Sequence, residues 1–424
     1  MGAIINPRLC VRCKGKNLCG RPCYFLEVLK LKAKHLNLEK HEMLASPPSI
    51  FVGRFGYPHV FIGSLGVKGE NQARCLLHDS PKEWFSKGLS VREVLERRLE
   101  MINSTVKSCV RMNSASNAIV ERIRETAMAS NPVDSEIVFR KKPALEISFS
   151  HVFSPLGLRA PVEKIRVVDN LKVDRRVEKI VYDTDLRAAE GVGELYRRGV
   201  DENYITRVFS AGLLGTKRER KLVPTRWSIT AVDDIIGRNL LNEIKTFEKI
   251  DTSTLFYSEY NGNRFWVLLL PRTWCYELIE ITHAFTPNYP APQRMLQPTP
   301  SRRGEIYITR DAEDYYGRKS YVEETAGGYY AARLGVAEYL HRIKKQAGVL
   351  VVREILPYYW APLGVWLVRE TVRDAMRKAP KCFDSAEEAV RCIELEMKAK
   401  VKLHSVSRIL RTKHYQTRLS SLSM

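Results

Sequence analysis

Long hydrophobic runs are what this sequence most lacks. Apolar stretches such as "FWVLLLP" at 265–271 fall far short of the roughly 20 residues that a transmembrane helix needs. The first residues turn polar and charged by Asn6 and Arg8, before an apolar signal core could form. "MGAIIN" also lacks the Ser or Thr that myristoylation requires at its sixth position. The expectation is a cytoplasmic protein with no membrane partner. Familiar catalytic signatures are missing too. There is no G-x-x-x-x-G-K-[ST] phosphate loop, no H-E-x-x-H, no G-x-S-x-G elbow and no dinucleotide glycine fingerprint after a strand. These absences argue against the common ATPase, zinc-protease and hydrolase plans.

Acidic charge is also in short supply. The chain carries 48 Asp plus Glu against 69 Lys plus Arg, a net charge of +21 and a pI near 9.6. Such an excess attracts polyanions through counterion release and long-range steering, and nucleic acid is the commonest polyanion in a cytoplasm. Nucleic acid is the partner this charge suggests, with a nucleoid-associated location if that nucleic acid is DNA; a merely basic proteome or a solubility strategy is the plainer alternative. With 424 residues, 44% of them hydrophobic and 28% charged, the chain has room for a sizeable core and two or three domains.

Cysteine is sparse except at one place. Cys75, Cys109, Cys275, Cys382 and Cys392 are scattered singly, whereas Cys10, Cys13, Cys19 and Cys23 crowd into "LCVRCKGKNLCGRPC". The spacing C-x2-C-x5-C-x3-C, with Gly15 and Gly20 each just past a cysteine, suits a tetrahedral zinc ion held by four thiolates. An iron–sulfur cluster uses similar spacings and is the alternative; four buried or disulfide-bonded cysteines are the plain structural reading. Arg12, Lys14, Lys16 and Arg21 interleave the ligands, which compensates a doubly negative metal–thiolate centre.

Patterning along the chain predicts a mixed α/β (α+β) fold. Residues 1–45 read as the four-cysteine zinc-binding module and a basic helix, 46–283 as a mixed α/β core, and 284–303, with five prolines, as a linker or loop. Residues 304–400 read as a helix-rich α/β carboxy-terminal part and 401–424 as a basic flexible tail. Segment 84–128 reads as largely helical, with a capping box from Ser90 to Glu93, and "SPLGLRAP" at 154–161 as a loop. Asp201 is a predicted helix N-cap. "STLFYSEYNGNRFWVLLLP" is a predicted hairpin, because Asn261-Gly262 supplies the positive φ values of a type I′ turn.

The stretch "GTKRERKLVPTRWSITAVDDIIGRNLLNEIKTF" concentrates candidate chemistry. Lys217, Arg218, Arg220, Lys221 and Arg226 precede Trp227, and cations beside an aromatic are what a nucleic-acid path needs; a solvated loop is the plainer alternative. Asp233 and Asp234, read as lying in the first helical turn, could hold a divalent metal for phosphoryl chemistry with Arg226, or simply complement the helix dipole. Gly327 and Gly328 in "ETAGGYYAARLG" could offer N–H groups to phosphate, or permit close packing. Near the end, Gln416, Leu419 and Leu422 form Q-x-x-Φ-x-x-Φ, two apolar plugs beside a polar anchor.

Five blocks together resemble the archaeal Nre family of DNA repair proteins: "CVRCKGKNLCGRPC", "SPPSIFVGRFGYPHVFIG", "KLVPTRWSITAVDD", "TAGGYYAARLGVAEYL" and "REILPYYWAPLGVW". The resemblance implies a role in DNA damage repair and recruitment by the sliding clamp PCNA through a C-terminal PIP motif, which falls on Gln416, Leu419 and Leu422. The chain departs from the usual pattern, which ends in aromatics, in having Leu422 and Ser423 there. The resemblance brings no catalytic mechanism with it. A DNA-binding adaptor therefore stands beside an alternative, an enzyme acting on damaged DNA or a nucleotide with its site around 221–234 and 325–333.

Overall fold

In the computed structural model the described residues are Cys13, Lys16, Leu18, Cys23, Leu26 and Glu27, then 41–69, 71–111, 118–283 and 306–411. Cys10, Cys19, the stretch 284–303 and the anchors Gln416, Leu419 and Leu422 lie outside them. The chain forms two compact units. One takes Arg8–Ile236 together with Pro362–Trp366; the other takes Gly237–Ala361 and Leu367 onward.

The first unit is built on a seven-stranded, mostly antiparallel sheet. Its strands are β1 (Glu42–Ala45), β2 (Ser49–Val52), β3 (His59–Gly66), β4 (Ile102–Cys109), β5 (Ser135–Phe139), β6 (Ala144–Ser148) and β7 (Leu156–Val167), in the order β1-β5-β7-β4-β3-β2 with β6 also on β7. Only β4 and β7 run parallel, through Asn103↔Arg159 to Thr105↔Pro161. Helices Val91–Glu100, Ala118–Met128, Arg175–Tyr182, Ala188–Arg197 and Glu202–Ser210 belong to this unit. The Ser90–Glu93 capping box forms, and Asp201 accepts the Asn203 N–H at 2.8 Å.

Two segments depart from the sequence reading. β4 interrupts the stretch 84–128, because "INSTVKSC" buries polar Asn103, Ser104 and Thr105 within the sheet instead of showing an apolar stripe. "SPLGLRAP" enters the twelve-residue strand β7, whose Leu156, Leu158, Ala160 and Val162 alternate inward. Pro161 sits beside a register shift between Val138 and Phe139 on β5, and an irregular ladder is where a strand tolerates proline.

The second unit carries a six-stranded sheet in the order β11-β10-β12-β9-β8-β13: β8 (Ser253–Tyr260), β9 (Asn263–Leu270), β10 (Cys275–His283), β11 (Ile306–Glu313), β12 (Gly348–Ile355) and β13 (Lys381–Phe383). The predicted hairpin closes as expected, with Asn261 at φ 47°, Gly262 at φ 77°, and Tyr260 opposite Asn263. β10 and β11 are hydrogen-bonded over eight pairs, so the stretch 284–303 joins neighbours of one sheet, and three of that sheet's strands belong to the part read as helix-rich. β10 and β12 run parallel, and helix Gly327–Ile343 lies between them in sequence. One face of the sheet buries Trp266, Leu268, Ile279, Ile281, Leu350 and Val352 against helix Ala386–Glu396 and the segment 397–410.

All eight residues of β12 are buried, including an arginine and a glutamate. Burying charge is affordable only when it is paired and hydrogen-bonded. Arg353 donates to Glu280 at 2.6 Å and to Asn263 Oδ1. Glu354 accepts from Arg264 at 3.0 Å, His283 at 2.8 Å and the main-chain N–H of Ala399 at 2.7 Å. Among the described residues, no helix is long and apolar enough to cross a membrane.

Candidate nucleic-acid interface

The start of helix Thr225–Ile244 is fixed by backbone chemistry in the first unit. Pro224 locks the approach, and its carbonyl accepts the N–H groups of Trp227 at 2.8 Å and Ser228 at 3.0 Å. Leu222 donates its N–H to Val110 at 2.9 Å, and Val223 bonds to Ser210. Thr225 Oγ1 accepts the N–H of Val52 at the end of β2, 2.9 Å away. That last bond seats the helix start beside the β2–β3 turn, "GRFGYP".

The turn is shaped by its own hydrogen bonds. Gly53 N–H bonds to Phe61 at 2.7 Å and His59 N–H to Gly56 at 2.8 Å. Gly56 has φ +81°, and a Cβ there would lie 2.8 Å from the His59 carbonyl, so only glycine fits. The Tyr57–Pro58 peptide is cis, and the Pro58 carbonyl accepts the Val110 N–H.

These constraints bring rings and cations together. Tyr57 and Trp227 pack with centroids 5.5 Å apart, yet remain 44% and 43% exposed. Phe55 is 69% exposed, with the Arg54 guanidinium 4.8 Å from its centroid. Partial burial and the like charge of Arg226 lower the proton affinity of Arg54, which puts the two cations in one field. On β3, Phe61 also faces outward, under the guanidinium of Arg159 at 4.0 Å. An exposed aromatic is ordinary; a cluster of them interleaved with arginines is not. Among the described residues, Arg54, Lys217, Arg218, Lys221 and Arg226 have no carboxylate within 4.0 Å.

The sequence-predicted residues divide. Arg226 and Trp227 are in this patch, joined by Arg54, Phe55, Tyr57 and Phe61 from the glycine-punctuated turn "GRFGYP" and the strand after it, far away in sequence and brought to Trp227 only by the fold. Lys217, Arg218 and Lys221 are exposed before the helix. Arg220 is not available: its guanidinium donates to the carbonyls of Gly215 at 2.8 Å, Val181 at 2.6 Å and Asp183 at 3.1 Å. Asp233 and Asp234 are not in a first turn, because the helix starts at Thr225, two turns earlier. Asp233 is 1% exposed, so neither dipole complementation nor an open metal pair describes it.

In the second unit, Gly328 meets a carboxylate: a Cβ there would lie 3.1 Å from Glu280 Oε1. Its neighbour Tyr329 is fully buried, its ring 4.8 Å from that of Tyr276, so the Gly-Gly pair serves close packing.

Of the four clustered cysteines, Cys13 is 5% exposed, and its sulfur accepts the N–H of Leu18 at 3.3 Å while its carbonyl accepts that of Lys16 at 2.8 Å. A tight turn aiming an N–H at a buried sulfur fits a thiolate ligand. Among the described residues, no group of three or more His, Cys, Asp or Glu side chains is placed to hold a metal ion.

Residues 18–287 match the family model described as archaeal Nre, N-terminal, and residues 313–422 that of archaeal Nre, C-terminal. A DNA repair protein NreA of Archaeoglobus fulgidus is 40% identical over 382 residues, 90% of this chain and 92% of the relative. The DNA repair protein NreB of the same organism is 37% identical over 387 residues, covering 91% and 92%. The DNA repair protein NreA of Haloferax volcanii is 39% identical over 347 residues, covering 81% and 80%. No solved structure matches. Both halves of the chain thus align with one family along nearly the full length of its curated relatives, and the chain belongs to the archaeal Nre family.

Proposed function

We propose that this protein works in DNA repair as a DNA-associating adaptor that grips unpaired bases through its aromatic–cation patch. The observation that carries the reading is the Tyr57–Trp227 ring pair, exposed and flanked by Arg54 and Arg226. Rings stack on any base and arginines meet the phosphates, so such a patch favours single-stranded or frayed DNA without sequence preference. The net charge of +21 supplies the long-range attraction. The names of the curated relatives supply the biological setting.

Two further parts complete the reading. Cys10, Cys13, Cys19 and Cys23 hold one structural metal ion, zinc rather than an iron–sulfur cluster, which staples the amino-terminal module and does no chemistry. Gln416, Leu419 and Leu422 form a clamp-docking tail for PCNA that works through aliphatic plugs. An adaptor suits the molecule better than an enzyme centred on Asp233, because that carboxyl is withdrawn from solvent in mid-helix. Fluorescence anisotropy with labelled single- and double-stranded oligonucleotides tests the interface. Tighter binding to single strands, weakened by Trp227→Ala, is the expected result; equal binding of both forms by wild type and variant would overturn it.

A further inference from the structure

We propose that a cavity in the carboxy-terminal unit binds a small phosphorylated ligand with the size and chemistry of a nucleoside monophosphate. The cavity, about 400 Å³, opens beside the edge strand β11 and is lined almost wholly by charged side chains. That volume lies within the range of about 300–1,000 Å³ usual for small-molecule sites.

Most of its carboxylates are already engaged by the protein. Asp311 accepts the N–H groups of Glu323, Glu324 and Thr325 at 3.1, 3.0 and 2.8 Å, and the Thr325 hydroxyl at 2.7 Å. Glu277 accepts the Ser407 hydroxyl at 2.6 Å and the N–H groups of Arg408 and Ile409 at 2.8 and 2.9 Å. Glu324 accepts the Arg310 N–H at 2.8 Å. These bonds build the walls, by tying the 323–325 loop and the 407–409 turn to the sheet.

Three of the four lining guanidinium groups, by contrast, are held mainly by carbonyls. Arg310 donates to Val406, Arg411 to Ser405, and Arg318 to Ala312 at 3.0 Å. The Arg318 Nε–H is buried without a partner, and the nearest carboxylate oxygen, Asp311 Oδ1, lies 3.7 Å from its Nη1. Among the described residues, Arg310 and Arg411 have no carboxylate within 4.0 Å. A guanidinium has five N–H donors, so each carbonyl contact orients a fork and leaves donors over. Oriented guanidinium groups without a carboxylate are a receptor for phosphate oxygens. Glu323 differs from the other lining carboxylates: among the described residues its oxygens accept no hydrogen bond. It is an acceptor for ribose hydroxyls or a base amino group. The pocket thus offers donors for an anion and an acceptor for the rest of the molecule.

Calorimetric titration of the full chain with AMP, dAMP and inorganic phosphate tests this. Wild type is expected to bind both nucleotides more tightly than phosphate. Arg310→Gln/Arg411→Gln is expected to lose at least tenfold for all three, and Glu323→Gln to lose only the preference for nucleotide over phosphate. The proposal is overturned if wild type takes up none of the three at millimolar concentration. It is equally overturned if a double variant with unchanged circular dichroism binds AMP like wild type. If the double variant fails to fold, the exposed Glu323→Gln decides alone: an unchanged preference for AMP over phosphate overturns the proposal.

Discussion

Trp227→Ala isolates the stacking surface. Trp227 is 43% exposed and pairs its ring with that of Tyr57 at the surface, so truncation opens no core cavity. The lost ring contact is worth about 0.5–1.5 kcal/mol, a fall of a few degrees in Tm at most. Binding should suffer more. Base–aromatic stacking contributes roughly 1–3 kcal/mol per base, so affinity for a short single strand should fall between about 5-fold and 150-fold. The cations separate from the rings by salt. Each phosphate contact on single-stranded DNA contributes about 0.7 to the slope of log K against log salt, so Arg54→Ala/Arg226→Ala should flatten that slope by ~1.4. Trp227→Ala should weaken binding and leave the slope unchanged. Anisotropy titrations at several salt concentrations, with circular dichroism as the folding control, read both effects. Affinity for single strands within twofold of wild type in folded Trp227→Ala would refute the reasoning.

Other outcomes follow from the same structure. Glu354 is buried, which by itself raises its pKa, but hydrogen bonds from His283 and the N–H groups of Ala399 and Lys398 outweigh burial and hold the carboxyl below its ordinary value. A depressed carboxyl stabilises the fold above its unfolded pKa and loses that contribution as pH falls through the folded value. Tm should therefore drop in acid, and Glu354→Gln should flatten that drop while costing roughly 1.5–3 kcal/mol, the worth of a hydrogen bond to a charged group, because Arg264 keeps Glu259 at 3.6 Å. Gly262→Ala should lower Tm, since φ is +77° and the new Cβ would lie 2.8 Å from Tyr358; left-handed backbone costs roughly 1–2 kcal/mol before that contact is counted. Elemental analysis should find one zinc per chain, reduced by Cys13→Ser; protein free of both zinc and iron would refute the metal site. Deleting 416–424 should abolish clamp binding in a pull-down with PCNA, and an unchanged signal would remove the tail from the account.

Legibility followed locality. Ser90 with Glu93, Asp201 with its following N–H, and Asn261-Gly262 act within three residues, and each forms as the sequence predicts. The β12 run "GVLVVREI" is apolar enough to need cover on both faces, and the strand is buried along its whole length. β4 and β7 were not legible: burying Asn103, Ser104 and Thr105 pays off only when β3 and β7 flank them, a fact about pairing partners some distance away in the chain. The helix carrying Asp233 starts two turns before the point its apolar stripe suggests, since "TRWSIT" shows no cap signal stronger than Pro224.

What the sequence determined by itself is composition and local grammar: a basic chain with a cysteine cluster, caps and turns, and enough distinctive blocks to mark its family. Tertiary structure decided which cations are available. Arg220 and Arg226 look alike in "KRERKLVPTRW", yet one guanidinium is spent on the carbonyls of Gly215, Val181 and Asp183, and the other shares an exposed patch with Tyr57 and Arg54. Side-chain type sets the charge, but only the fold sets how many carbonyls lie within hydrogen-bond reach, and that number separates a structural arginine held by three from one with donors left to meet phosphate.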